Sequence, residues 1–365
     1  MGFKYKVCAY AICKNEEKFV DSWMDSVKEA DCVIVVDTGS TDRTVEKLQE
    51  RGAIVYRHEI SPFRFDYARE YCLELIPDDV DICISTDLDE VLNVGWREKL
   101  ENSWQADSNR GIYLFNWSIH ADGTPAVQYM YERIHARHNY HWLYPVHEIL
   151  EYTGPGAEKR TLIEGLVLNH YPDATKSRSL YLPLLELALK ENPGSSRNLH
   201  YLGREYMYAK EWEKCIETLK TYLSPGVSSW DEERSASMRF IARAYGALGN
   251  VYEQKKWLYQ AMAETPFLRE PYMELAYIAY NEQNWPALYF YTTEALNIKN
   301  KTLCYVNEDC AWNYTPYDFA ALACHNLELS GKAIPYSLEA IKMDPDNERL
   351  KKNHHFYEEA AKIGK

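Results

Sequence analysis

Two aspartates, Asp87 and Asp89, stand two positions apart directly after the apolar run Asp81 to Ser85. In an extended chain, side chains two positions apart point to the same side, about 6.5 Å apart along the strand. A pair of carboxylates at a strand end suits Mg²⁺ or Mn²⁺, which keeps coordination positions open for phosphate oxygens. The same spacing also fits an acidic turn, or Asp89 as the cap of a helix that starts near Val91.

Polar residues also follow two earlier strand-like runs. Asn15 and Glu16 come after the run Val7 to Ile12, and the polar stretch Asp37 to Asp42 comes after Cys32 to Val36. The carboxyl ends of parallel strands meet at one edge of an open α/β sheet, which is where such sheets bind ligands. We therefore expect these residues and the paired aspartates to share one pocket.

The first half of the chain, from Lys6 to about Tyr171, alternates short β-branched runs with helical stretches. This alternation predicts an α/β domain with a mostly parallel, Rossmann-like sheet covered by helices. The predicted strands are Val7 to Ile12, Cys32 to Val36, Ala53 to Arg57 and Asp81 to Ser85, and the predicted helices are Glu16 to Ala30, Thr44 to Arg51 and about Tyr67 to Leu75.

The second half changes to Leu, Ala, Tyr and Glu at helical period, which places a domain boundary between 172 and 173. Small residues recur there at intervals of 39, 34 and 45 residues, around the tetratricopeptide period of 34. We expect an all-α, tetratricopeptide-like repeat domain over 173–365; an irregular helical domain with similar spacing is the alternative. The small residues that would let two helices approach are Gly203, Ala242, Ala276 and Ala321.

Composition excludes several classes of protein. The 365 residues carry 41 Lys and Arg against 55 Asp and Glu, a net charge of −14 that argues against nucleic-acid binding through phosphate contacts. No apolar stretch approaches the ~20 residues of a membrane helix, so no integral membrane segment is expected. Nine cysteines without paired spacing suit a reducing compartment, which predicts a cytoplasmic protein. A homo-oligomer is possible.

Four motifs occur in a characteristic order: Cys13-Lys14-Asn15-Glu16, Val36-Asp37-Thr38-Gly39-Ser40-Thr41-Asp42-Arg43-Thr44, Phe65-Asp66-Tyr67-Ala68-Arg69 and Asp87-Leu88-Asp89-Glu90. In this combination, residues 6 to 171 resemble the large second family of inverting, nucleotide-diphospho-sugar glycosyltransferases, which have the GT-A fold. The resemblance implies a Mn²⁺- or Mg²⁺-dependent enzyme that uses a UDP-sugar, with glucose or N-acetylglucosamine as the favoured sugar.

For the nucleoside pocket, the resemblance implies a role for Asn15, Glu16 and Asp37. The Asp37 carboxylate would accept a hydrogen bond from the uracil ring N–H, and Glu16 would lie at the edge of the same pocket. Helix capping explains the stretch that follows Asp37 equally well, and Asp42 is either a cap or a ligand.

For the diphosphate and the metal, the resemblance implies that Asp87 faces the ribose and the cation, that Asp89 binds the cation directly and that His170 completes the metal shell. Arg69, with Arg64 as second choice, would meet the diphosphate, although either could be a plain surface arginine. A cation is also expected because acidic walls with few basic residues nearby cannot offset the charge of a leaving diphosphate.

On the acceptor side, Glu148 is the expected base, because an inverting transfer needs a group that takes the proton of the attacking oxygen. The alternatives are that Glu148 pairs with Arg133 or Arg137 and that His147 is a core histidine. Aromatic side chains of the expected acceptor region that could stack on a sugar are Trp117, Trp142 and Tyr144.

The catalytic assignment is therefore Glu148 with Asp89. Helical repeats commonly bind peptides or proteins, which favours a protein, peptide or glycan acceptor recruited partly by the second half of the chain. The rival hypothesis is a non-catalytic scaffold or sensor that binds a nucleotide sugar and a protein partner. The acidic residues on three separate loops count against that rival.

Overall fold

The computed structural model describes residues 3–173 and 175–363, and the chain divides into two compact units, Met1–Pro193 and Gly194–Lys365. The first unit is α/β and the second is all-helical, which confirms the predicted fold class. The helix Tyr181–Glu191 falls within the first unit. The proposed domain boundary between 172 and 173 stays a prediction.

The first unit is built on an eight-stranded sheet in the order β3-β2-β1-β4-β7-β6-β10-β5, with a separate two-stranded sheet of β8 and β9. Strands β3, β2, β1 and β4 are parallel to one another, whereas β7 is antiparallel to both β4 and β6. The strands are β1 Val7–Cys13, β2 Cys32–Asp37, β3 Ile54–Arg57, β4 Ile82–Ser85, β5 Glu90–Leu92, β6 Arg110–Ile119, β7 Pro125–Ala136, β8 Tyr140–Leu143, β9 Ile149–Tyr152 and β10 Arg160–His170.

Two hydrophobic cores cover the two faces of this sheet. Strand β1 is apolar at every position because alternate side chains enter different cores: Val7 and Ala9 face one core, and Cys8 and Tyr10 face the other. Trp23 fills the first of these cores. The helices of the unit are α1 Val20–Val27, α2 Thr44–Glu50, α3 Phe65–Glu74, α4 Trp96–Ser103 and α5 Tyr181–Glu191.

Strand register brings the polar loops to one edge of the sheet. Cys13 at the end of β1 lies opposite Asp37, so the loops that follow β1 and β2 start side by side. After Asp89 the chain forms strand β5, in which Glu90 lies opposite His170 of β10. The alternative that Asp89 caps a helix near Val91 is therefore wrong, because that residue lies in β5.

The second unit consists of helices that pack in pairs along the chain, and its small residues lie on the first helix of each pair. A Cβ atom on Gly203 would stand 2.3 Å from the Leu219 side chain, which confirms the close approach that the repeat predicts. The helices are α6 Ser196–Tyr208, α7 Trp212–Tyr222, α8 Asp231–Ala247, α9 Val251–Glu264, α10 Glu270–Asn281, α11 Trp285–Asn297, α12 Thr315–Asn326, α13 Ser330–Met343 and α14 Glu348–Ile363.

The segment 299–314 between α11 and α12, which we call the strap, packs against the first helices of this unit. Its Tyr305 stacks on Tyr201 of α6 at 6.2 Å between ring centroids, and its Trp312 indole N–H donates to Glu270 of α10 at 2.9 Å. The strap carries the residues that lengthen the last repeat interval to 45. Among the described residues, no helix is long and apolar enough to cross a membrane.

Candidate active site

Four side chains form a closed ionic network, which we call the arginine–carboxylate square: Arg69, Arg133, Asp87 and Glu148. Arg69 donates to Asp87 and to Glu148, each at 2.6 Å. Arg133 contacts the same two carboxylates at 3.3 and 3.2 Å. Each guanidinium therefore binds both acids, and the square joins the paired aspartates to the expected base.

Separate elements bring the members of the square together. Arg69 comes from α3, Arg133 from β7, which pairs with β4, and Glu148 from the residue before β9. The ring of Trp142 in β8 lies 5.1 Å from the guanidinium of Arg69 and 5.6 Å from that of Arg133. Cation–π contact with this buried ring holds both arginines in place.

The square keeps its two acids ionised. Burial alone would raise the pKa of Asp87 and of Glu148, but the charges of Arg69 and Arg133 outweigh burial and hold both pKa values below their usual range. Glu90, which lies behind Asp87 and accepts its backbone N–H at 2.8 Å, behaves in the opposite way. Burial, reinforced by the charge of Asp87, raises the pKa of Glu90 to about 8.

Asp89 faces His170 across the β10–β5 pairing, with its Oδ2 atom 3.7 Å from His170 Nε2. The Nδ1 atom of His170 lies 2.9 Å from the Trp117 carbonyl oxygen, which can only accept, so Nδ1 carries a hydrogen. In the neutral imidazole the lone pair is then on Nε2, the atom that faces Asp89. Trp117 also stacks on His170 at 4.6 Å between ring centroids and so fixes the plane of the imidazole.

Glu16 and Lys176 complete this group, which we call the Asp89 cluster: Glu16, Asp89, His170 and Lys176. Lys176 Nζ lies 2.5 Å from Glu16 Oε1 and 4.0 Å from Asp89 Oδ2. Within the part of the chain that the structure describes, the other oxygen of Glu16, Oε2, is buried without a hydrogen-bond partner. Burial raises the pKa of Glu16 to about 7 in spite of the neighbouring ammonium group.

The two loops expected to form the nucleoside pocket are bound to each other. The Asn15 side-chain oxygen accepts the Thr41 backbone N–H at 2.7 Å, and the Asn15 backbone N–H donates to Ser40 at 2.8 Å. Asp37 is buried and accepts the backbone N–H of Ser40 at 3.1 Å. Asp42 accepts the backbone N–H of Thr44, the first residue of α2, at 3.0 Å.

The other predicted residues lie in different surroundings. Arg64 binds Asp66 at 2.8 Å and Glu191 at 2.6 Å, so two carboxylates outside the square and the Asp89 cluster hold its guanidinium. Trp142 is only 5% exposed, and this burial excludes it as a surface for sugar stacking, whereas Trp117 is 46% exposed.

The expectation of few basic residues near the acidic pocket is wrong, because Arg69, Arg133 and Lys176 all contact its carboxylates. Sequence reasoning named Arg133 only as a structural partner of Glu148 and did not name Lys176 or Glu90 as part of the site. Two features of the sequence could have indicated these residues: Glu90 directly follows Asp89, and Lys176 lies six positions after His170.

The fit of a divalent cation rests on Asp89 and His170. Within residues 3–173 and 175–363, no group of three or more His, Cys, Asp and Glu side chains is arranged to hold a metal ion alone. Mg²⁺ and Mn²⁺ commonly take one or two protein ligands and complete their shell with phosphate oxygens and water. A carboxylate with an oriented imidazole lone pair fits that habit, whereas both oxygens of Asp87 already face arginines.

The sequence profile of "Glycosyl transferase family 2" matches residues 9–153, a span that holds both loops, the paired aspartates and Glu148. No curated protein matches the chain.

Solved structures with a similar helical arrangement include a TPR repeat-containing protein of Cytophaga hutchinsonii, in its C-terminal part (12% identity, TM-score 0.41, 51% of this chain and 67% of that chain). Another is pilF of Pseudomonas aeruginosa (13% identity, TM-score 0.38, 49% of this chain and 73% of that chain). A third is a TPR protein of Thermus thermophilus (16% identity, TM-score 0.35, 49% of this chain and 89% of that chain). The TM-scores lie below 0.5, so the repeat organisation rests on the helices of this chain.

Proposed function

We propose that the chain is a glycosyltransferase that moves a sugar from a UDP-sugar to an acceptor with inversion at the anomeric carbon, because the profile of glycosyl transferase family 2 matches residues 9–153. Glucose and N-acetylglucosamine are the favoured sugars. The observation that supports the proposal best is the meeting of the arginine–carboxylate square and the Asp89 cluster at the turn from Asp87 to Asp89, at the carboxyl edge of the sheet.

The nucleoside would lie against the loops that follow β1 and β2. We assign Asn15, Glu16 and Asp37 to this pocket, with the bonds between the two loops preorganising it before the donor arrives. Asp37 is the residue assigned to the uracil ring, because a carboxylate is a strong acceptor for a ring N–H.

Asp89 and His170 would hold a divalent cation, with Asp87 on its ribose side. The cation supplies positive charge that stabilises the leaving diphosphate. Arg69 adds a fixed positive charge beside Asp87, and its position does not depend on the donor because Glu148 and Asp87 bind it. Arg64 remains the second choice for a diphosphate contact.

Glu148 is the proposed base. Its pKa is lowered, so the carboxylate is ionised and able to accept the proton of an acceptor hydroxyl. Arg69 and Arg133 bind Glu148 Oε1 and orient the carboxylate. Their charges also make Glu148 a weaker base, because they lower its pKa. The acceptor oxygen would attack the anomeric carbon from the side opposite to the diphosphate, which gives inversion.

The acceptor is proposed to be a protein, a peptide or a glycan, with the helical unit contributing to its recruitment in the cytoplasm. Stacked helix pairs expose extended surfaces that suit such partners. In the catalytic unit, the exposed ring of Trp117 beside His170 is the aromatic surface that we assign to a sugar.

The test is release of UDP from a panel of UDP-sugars in the presence of Mn²⁺. We expect Asp89→Ala to lower this release by at least about 100-fold, because a cation ligand is lost, while the protein stays folded. Asp122→Ala is the matched control, since Asp122 lies in a loop of the same unit and binds only its neighbour Thr124 among the contacts described. Unchanged release by Asp89→Ala would remove Asp89 from the cation site.

A further inference from the structure

Lys176, in the segment after β10, contacts the carboxylates of Glu16 and Asp89. A turn at Asp173 holds the segment: the Lys176 backbone N–H donates to the Asp173 carbonyl at 3.1 Å, and Lys18 binds the Asp173 carboxylate at 2.8 Å. From this turn the Lys176 side chain reaches Glu16 and Asp89. Its ammonium group therefore lies between carboxylates that follow β1 and β4.

The position of this ammonium matters because one atom, Asp89 Oδ2, faces two partners. His170 Nε2 stands 3.7 Å from it and Lys176 Nζ stands 4.0 Å from it. A divalent cation held by Asp89 and His170 would stand close to the ammonium, and the two positive charges would repel each other.

A second observation independently indicates that the pocket is built for further positive charge or donors. Glu16 is nine-tenths buried, and among residues 3–173 and 175–363 its Oε2 atom has no hydrogen-bond partner. A buried carboxylate oxygen is costly to leave unpaired, so proteins rarely keep one unless a ligand uses it. Lys176 satisfies only the other oxygen, and its side chain is still 41% exposed and free to turn on its flexible stem.

We propose that Lys176 is a resident counter-ion of the donor site: it neutralises Glu16 and Asp89 when no donor is bound, competes with the divalent cation, and binds the diphosphate of the donor. The proposal rests on the proposed function, because it requires a nucleoside diphosphate and a cation at this edge of the sheet. It assigns a binding role to Lys176, which lies outside residues 9–153 and outside the four motifs.

The proposal predicts two effects of opposite sign for Lys176→Met, both measured by binding to the full-length protein. Affinity for Mn²⁺ without nucleotide, followed by the EPR signal of free Mn²⁺, should rise about tenfold, because a competing positive charge is removed. Affinity for UDP in the presence of EDTA, followed by calorimetry, should fall about tenfold, because a charge-assisted hydrogen bond is lost.

Two further variants serve as controls for this test. Lys159→Met is the matched control, since Lys159 is a comparably exposed lysine of the same unit that binds Asp107, and both affinities should stay at the wild-type values. Lys176→Arg keeps the charge and should retain UDP binding in EDTA, which shows that the loss in Lys176→Met does not come from misfolding.

The outcomes separate the two proposals. If the wild-type protein binds Mn²⁺ and UDP but Lys176→Met behaves like Lys159→Met, the role of Lys176 is overturned and the proposed function stands. If both affinities of Lys176→Met fall, the competition with the cation is overturned; if both rise, the contact with the diphosphate is overturned. If the wild-type protein binds neither Mn²⁺ nor UDP, the proposed function itself fails.

Discussion

Each unit of the chain contains a square of two arginines and two carboxylates, and the two squares have different surroundings. In the second unit, Arg239 and Arg243 both bind Glu274 and Glu308, with distances from 2.6 to 3.2 Å. Arg239 also donates to the Val306 carbonyl of the strap at 2.9 Å. This square joins the strap to helices α8 and α10, so we interpret it as a structural contact.

The square of the first unit borders carboxyl groups whose pKa values are raised. Glu90 and Glu16 reach pKa values of about 8 and 7, mainly through burial, whereas the pKa of Glu308 in the second unit is lowered to about 2. For Glu308, the charges of Arg239 and Arg243 outweigh burial. The two ionic networks are alike but their surroundings differ, and buried carboxyl groups with raised pKa values are typical of binding sites.

The largest expected difference between the squares is in catalysis. We expect Glu148→Gln to lower the turnover of sugar transfer by about 10²–10⁴-fold, the usual contribution of a general base, with donor affinity retained. Glu308→Gln, the equivalent change in the other square, should leave turnover unchanged. Transfer rates at saturating donor, with donor affinity measured by calorimetry, check both; a loss of donor affinity in Glu148→Gln would count against its assignment as the base.

The next difference is whether an arginine of the square contributes to stability alone or also to UDP binding. Arg69→Met and Arg239→Met should each lower the free energy of unfolding of their own unit by about 2–3 kcal/mol, because each removes a buried guanidinium that binds two carboxylates, while the other arginine of the square remains. Hydrogen exchange at β1 and at α8 reports the two units separately. UDP binding should weaken only in Arg69→Met, and equal weakening in both variants would show that the two squares do not differ in function.

The smallest difference is in the response to pH, measured on the metal-free protein. The pKa of Glu16 is raised from 4.5 to about 7, so its contribution to stability is present below pH 4.5 and is lost as the pH rises through 7. The pKa of Glu308 is lowered from 4.5 to about 2, so its contribution is present above pH 4.5 and is lost as the pH falls through 2. Each pKa unit corresponds to about 1.4 kcal/mol.

Hydrogen exchange in each unit across this pH range, with Glu16→Gln and Glu308→Gln as the variants, measures the two slopes. Each variant should flatten the response of its own unit only. Slopes of the same sign in the two wild-type units would contradict the contrast between the squares.

The sequence predicted the elements whose signal is local. Strands β1, β2 and β4 are apolar runs buried on both faces, so their positions follow from the residues themselves. Gly203 likewise indicates a close contact between two helices, because a side chain at this position would clash with Leu219. The paired aspartates were placed at the sheet edge because they directly follow a buried strand.

The partners of these residues could not be predicted in the same way, because ion pairs join distant parts of the chain. Arg133 is 46 residues from Asp87 and reaches it only because β7 inserts antiparallel beside β4. Lys176 is 160 residues from Glu16 and lies beyond the predicted domain boundary. The roles of Glu148, Asp89 and His170 came from the resemblance and stay predictions.

The strap has a consequence for any partner of the helical unit. Because it belongs to the same chain, the strap faces the first helices at an effective concentration on the order of millimolar. A peptide that used this face would have to displace both the tyrosine stack and the ionic contacts of Glu308. The second helices offer easier access, since Tyr252 of α9 and Phe290 of α11 remain 77% and 53% exposed.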